Sequence, residues 1–177
     1  MEEGAETGTN SIGSLSIEGD HKWRPLLQEK YAEAQPKISP DGRWMAYCSG
    51  ESGKAEIYVR PFPDVNKGRW QVSTSGGNSP LWSPNDQELF YRNGDSIMAV
   101  AVEAGQTFKC GKPEPLFRGT YTPAYGSDTH PWDISPDGKR FLMMKDVRAT
   151  PSASTGPRKI SIVVNWLEEL KQRVPVK

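Results

Sequence analysis

A short pattern recurs three times along the 177-residue chain and restricts its fold more than any other feature. One copy reads Pro36-Lys37-Ile38-Ser39-Pro40-Asp41-Gly42-Arg43-Trp44-Met45-Ala46-Tyr47. The next is Pro80-Leu81-Trp82-Ser83-Pro84-Asn85-Asp86-Gln87-Glu88-Leu89-Phe90-Tyr91, and the third Pro131-Trp132-Asp133-Ile134-Ser135-Pro136-Asp137-Gly138-Lys139-Arg140-Phe141-Leu142. The serines stand 44 and then 52 positions apart. Proline presets φ at the first central position of a turn and Asp-Gly suits the positions after it, so each copy predicts a strand, a tight turn and a second strand. Ser39, Pro40, Asp41 and Gly42, Ser83 and Pro84, and Ser135, Pro136, Asp137 and Gly138 are therefore read as structural turn residues. On this reading the carboxylates of Asp41 and Asp137 bond within their turns and do no acid–base work. The second copy departs from the pattern at Asn85-Asp86-Gln87, which leaves its turn geometry open.

The second strands, Trp44 to Tyr47, Leu89 to Tyr91 and Phe141 to Met144, are nearly continuous apolar runs, so both of their faces need cover. A third apolar strand follows each, at 56–59, 97–102 and 160–164. Asn93-Gly94-Asp95 is a hairpin signal that makes the second and third strands of the middle unit antiparallel neighbours. Weaker fourth strands follow at 70–74 and 115–117. Four strands in a unit of about 45 residues, stacked face to face, describe the blade of a β-propeller. The expected fold is all-β: a partial β-propeller of three four-stranded antiparallel blades at about 34–75, 78–118 and 129–165, preceded by a disordered segment 1–11. A short C-terminal helix is expected over 166–174, because Asn165 and Glu168 have capping-box spacing, Glu169 and Arg173 are an i,i+4 pair, and Pro175 stops it. That helix leaves the last blade without a fourth strand. Residues 23–28 are expected to supply it by pairing near Ile162, with Ile12 to Ile17 alongside, which removes a free sheet edge.

These residues resemble the TolB-like propeller family, whose WD40-like (PD40) repeat carries Pro-x-x-Ser-Pro-Asp-Gly ahead of an apolar strand. The resemblance runs from about Ile12 to the C-terminus. The chain is also similar to C-terminal propeller halves attached to certain bacterial serine/threonine protein kinases, in Glu56-Ile57-Tyr58-Val59-Arg60-Pro61-Phe62-Pro63 and in the closing Asn165-Trp166 helix. The resemblance implies a non-enzymatic protein-interaction or sensor module. Its alternative is an accessory, regulatory propeller of a larger enzyme, a serine/threonine kinase or an S9-type hydrolase. Propellers typically have about four to eight blades. Three blades therefore need either a second copy, giving a six-bladed homodimeric ring, or further chain upstream, in which case an exported or membrane-anchored protein would hold them outside the cytoplasm.

Other chemistry is argued against residue by residue. The 22 Lys plus Arg are matched by 22 Asp plus Glu, so the strongly basic footprint of a general nucleic-acid binder is missing. Residues 1–10 lack the basic-then-apolar order of a signal peptide, and no run approaches the roughly 18 apolar residues of a membrane span. No nucleophile elbow and no kinase signature occurs. Gly50-Glu51-Ser52-Gly53-Lys54-Ala55 lacks the first glycine of a phosphate loop and has alanine where a Mg²⁺-ligating hydroxyl belongs. His21 and His130 are not at metal-ligand spacing to a cysteine. No catalytic residue, metal or cofactor is expected, and the expected partner is a protein or peptide. Trp44, Trp82 and Trp132 recur within the repeats and are read as core, whereas the less regular Trp70, Tyr121 and Tyr125 are the candidate binding residues. Two long connections, 119–128 and 148–159, are candidate recognition loops. Cys48 and Cys110 fit a disulfide or two thiols, and unpaired thiols are favoured because no disulfide framework surrounds them.

Overall fold

In the computed structural model, residues 44–49 form a strand that is buried along its whole length, as a continuous apolar run requires. The structure describes residues 10–122 and 130–145, which lie in the first of two units, Met1–Asp146. The expected strand 160–164 and helix 166–174, the segment 1–9, the loop 148–159 and Tyr125 lie outside the described residues. Within them the fold is all-β, with several antiparallel sheets and one 3-10 turn at Val65–Lys67.

Two full sheets carry the architecture. The first runs β3 (Glu33–Ile38), β4 (Trp44–Ser49), β5 (Glu56–Pro61), β6 (Trp70–Gln71), each strand paired to the next. The second begins in the same way with β7 (Asn78–Trp82), β8 (Glu88–Asn93) and the long β9 (Ser96–Ala104). Asn93 pairs with Ser96, so the hairpin turn is Gly94-Asp95, with Gly94 at a φ of 58° that a side chain adopts only at a cost. The outer edge of this sheet differs from expectation. It is shared by β10 (Phe108–Cys110), which pairs with the end of β9, and β11 (Glu114–Arg118), which pairs with its beginning. Two smaller hairpins flank the sheets, β1 (Ile12–Leu15) with β2 (Trp23–Leu27), and β12 (Trp132–Ile134) with β13 (Phe141–Met143). β2 thus lies in a sheet with β1, while its expected partner near Ile162 is beyond the described residues.

Three apolar layers bind these pieces in sequence order. Trp44, Ala46, Cys48, Ile57 and Val59 of the first sheet meet Trp82, Leu89, Tyr91, Val100 and Phe108 of the second. The opposite face of the first sheet, through Met45, Tyr47 and Tyr58, packs on Ile12 and Leu27. The opposite face of the second, through Leu81, Phe90 and Ile97, packs on Trp132, Phe141 and Met143. Each full sheet is therefore covered on both faces, which is why β4 and β8 read as apolar runs rather than alternations. On β13 the expected cover is incomplete: Leu142 is 75% and Met144 57% exposed.

The three turns share one geometry. In the first, the Ser39 hydroxyl donates to Asp41 Oδ1 at 2.6 Å while Ser39 Oγ accepts the Trp44 N–H at 3.0 Å, and Asp41 Oδ1 also accepts the Arg43 N–H at 3.0 Å. The third repeats these bonds with Ser135, Asp137, Lys139 and Arg140. The second keeps them too, with Ser83, Asn85, Gln87 and Glu88, despite its altered sequence. The Asn85 amide oxygen accepts where an aspartate carboxylate oxygen accepts in the other two turns. Asp86 takes the place of glycine, at a φ of 59° against 75° for Gly42 and 69° for Gly138.

Asp86 is costly there twice over. Its backbone is in the region that favours glycine, and its Oδ1 is buried without a hydrogen-bond partner. Burial, with the Asp41 carboxylate beside it, holds its carboxyl above the usual aspartate range. A carboxyl raised in the folded state costs stability once pH exceeds its unfolded value, and the cost fades as acid protonates it. Asp86→Gly is expected to stabilise the chain by about 0.5–1 kcal/mol near neutral pH despite the entropy that glycine adds to the unfolded state. Urea unfolding should show a smaller gain at about pH 3 than at about pH 7.

Candidate functional site

The first strand of each full sheet is bent by a β-bulge at the same place. Gln35 and Ser79 stand four residues before Ser39 and Ser83, and both have positive φ, 56° and 51°. The register of β3 against β4 shifts between Ala34 and Lys37, and that of β7 against β8 between Asn78 and Leu81. Non-glycine residues held there store strain, and bulges re-aim side chains. Here the bulges bind one another: the Ser79 N–H donates to Gln35 Oε1 at 2.7 Å. Two indoles add bonds of the same sense, Trp82 Nε1–H to the Lys37 carbonyl at 3.0 Å and Trp132 Nε1–H to the Ser79 carbonyl at 3.1 Å. The first strands of successive sheets are thus tied edge to edge by polar bonds.

Beside this seam lies a pocket of about 520 Å³, lined by residues 10–13 and 33–36 together with Trp23 and His130. The Glu33 N–H donates to the Asn10 carbonyl at 3.0 Å, which fixes the start of β1 against β3. Trp23 is 54% exposed and its ring covers Gly13, where a Cβ would fall 2.2 Å from the indole. Only glycine at 13 lets the ring lie so close.

Glu33 is 2% exposed, and its Oε2 has no hydrogen-bond partner. Burial raises its carboxyl above the usual range, the Glu29 and Glu51 charges push the same way, and a backbone bond from Glu29 and the charge of Arg60 oppose them. Arg60 is itself committed. Its guanidinium donates to the Tyr47 hydroxyl at 2.8 Å, to the Val65 carbonyl at 3.3 Å and to Glu29 Oε1. Burial also lowers the His130 imidazole, and Lys37 adds to this while Asp133 opposes it.

The sequence-predicted binding residues are placed apart. Trp70 is half-buried in an aromatic cluster, 5.6 Å from Trp44 and 5.7 Å from Phe108 between ring centres, with Gly68 leaving room for its ring. Tyr121 is half-buried edge-on to Phe117 at 6.2 Å, and its carbonyl accepts from Arg92 at 3.4 Å. Neither lines the pocket. Trp44, Trp82 and Trp132 are buried in the apolar layers. Cys48 and Cys110 are unpaired, and burial raises both thiols, Cys48 to about 11, so neither is an activated nucleophile. Asp41 and Asp137 bond within their turns, and Gly50 to Ala55 connects β4 to β5. Among the described residues no group of three or more His, Cys, Asp or Glu could hold a metal ion, and no helix is long and apolar enough to cross a membrane.

A solved structure of a protein assigned as TolB from Agrobacterium tumefaciens superposes with a TM-score of 0.53 at 20% identity, covering 76% of this chain and 49% of that one. The fold is TolB-like. TolB from Acinetobacter baumannii aligns with a TM-score of 0.45 at 16% identity over 75% of this chain and 42% of that one. The chain spans about half the length of the first of these TolB structures, and less of the second. No family model matches it, and no curated protein does. Neither likeness supports the kinase-attached halves suggested by residues 56–63.

Proposed function

We propose that the chain is a partial β-propeller whose stacked sheets are blades and which serves as a non-enzymatic protein-interaction module. The observation that carries this reading is the seam at the first strands. Successive sheets stack face to face, repeat one turn at one corner, and are tied through Gln35, Ser79 and two indoles beside a pocket that contains buried polar groups. Rigid stacked sheets with a polar pocket at their inner edge suit recognition of a peptide. The exposed Ile17 at one end of the stack and Leu142 at the other support continuation of the ring, by a second copy or by further blades.

Panning a random peptide library against the immobilised chain tests the reading. Selected peptides are expected to perturb backbone amides around 10–13 and 33–36 in NMR titrations. Failure to select any peptide would overturn it. So would turnover of a substrate by the purified chain that a single polar substitution abolishes.

A further inference from the structure

We propose that the pocket at Glu33 seats one cationic side chain, the ammonium of lysine or the guanidinium of arginine, presented by a peptide partner. This rests on the interaction reading and names the chemistry of its ligand. A buried carboxylate oxygen without a donor is destabilising, and an ionised carboxylate only accepts hydrogen bonds. Glu33 Oε2 is such an oxygen, closed to water, on one of the residues that line the pocket.

Among the described residues no cation bonds to this oxygen. Among the described residues Arg60 is the cation that acts on Glu33, and its Nε, Nη1 and Nη2 each already donate elsewhere, to Tyr47, Val65 and Glu29. Glu29 and Glu51 raise the same carboxyl; each is paired, Glu29 with Arg60 and Glu51 with Arg69, yet the three carboxylates outnumber the two guanidiniums, so an anionic ligand would be repelled and a cation attracted. His130, also in the pocket lining, is disfavoured as a cation by burial and by Lys37. An exposed indole completes the arrangement: Trp23 is held over Gly13 in the same lining and offers an aromatic face to an ammonium or guanidinium. The volume of about 520 Å³ exceeds one side chain, leaving room for the flanking peptide.

The test uses the whole chain and three capped tripeptides, Ala-Lys-Ala, the same peptide with acetylated lysine, and Ala-Glu-Ala, titrated by NMR. The lysine peptide is expected to shift the Trp23 indole N–H and the amides of 11–13 and 34–36, with the acetylated peptide weaker by about tenfold or more. Glu33→Gln removes a buried charge, so it should remain folded by circular dichroism while losing the preference for lysine over acetyl-lysine. Trp23→Ala, at an exposed position, should weaken the lysine peptide alone and serves if the first variant does not fold. Equal shifts from the charged and acetylated peptides, or an unchanged preference in both variants, would overturn the proposal. Binding of panned peptides without charge preference overturns the cation seat and leaves the interaction module standing, whereas a chain that selects no peptide overturns both.

Discussion

Replacing Glu56 with alanine is expected to lower the free energy of unfolding by about 3 kcal/mol, read as a shift of the urea midpoint with an unchanged slope. Glu56 opens β5 and is 0% exposed. One carboxylate oxygen accepts the Ser73 hydroxyl and the other accepts the Gly76 N–H at 2.8 Å. Ser73 Oγ in turn accepts the Ile57 N–H at 2.8 Å, so a single carboxylate fastens the chain after β6 onto the start of β5. Removing it strands the buried Ser73 hydroxyl and the half-buried Gly76 N–H at once, and each unsatisfied buried group costs about 1–3 kcal/mol. The contact with Lys54 Nζ at 3.4 Å adds little, because that lysine is 55% exposed and water screens it. Glu56→Gln keeps one acceptor oxygen and should lose about half as much. A loss below about 0.5 kcal/mol for the alanine variant would show that water replaces the carboxylate, contrary to its burial.

Glu56 also shows where reading the sequence stops. The turns were legible because Ser-Pro-Asp-Gly specifies local geometry, and even the altered Asn85-Asp86-Gln87 copy keeps it, since an asparagine oxygen accepts as aspartate does. The apolar runs at β4, β5 and β8 were legible because burial on both faces leaves no alternation to misread. A glutamate at the head of β5 looks like an ordinary solvated charge until the chain brings Ser73 and Gly76 around it. The pocket was illegible for the same reason. Its lining comes from residues 10–13, 23, 33–36 and 130, and only stacking of the sheets joins them. The positive φ values of Gln35 and Ser79 carried a faint signal, the matching distance to the turn serine, but neither residue type announces a bulge. Trp70 is half-buried. Its irregular place in the repeat suggested exposure; one part of the ring packs against Trp44 and Phe108 and the rest stays open, because strand position sets burial and repeat regularity does not.

Phe108→Ala is expected to cost about 3–5 kcal/mol. The residue belongs to β10, which sequence patterning left within a connection. Phe108, Lys109 and Cys110 alternate only once, which is too short a period to recognise. Their importance comes from where the ring goes. Phe108 is 2% exposed and reaches Trp44 at 5.4 Å, Trp70 at 5.7 Å and Trp82 at 6.4 Å, so one edge-strand side chain joins aromatic rings from both full sheets. Truncation would leave a ring-sized void that three indoles cannot all close, because they are fixed by their own strands and Trp82 is further held by its bond to the Lys37 carbonyl. Tryptophan emission should move to longer wavelength as Trp44 and Trp82 gain water, together with the drop in urea midpoint. Leu116→Ala in β11, on the other half of the same edge, is the control: the side chain is 49% exposed, and the change should stay within about 0.5 kcal/mol. Equal losses for the two variants would mean that the halves of the split edge contribute alike, and that the second sheet is not anchored to the first through Phe108.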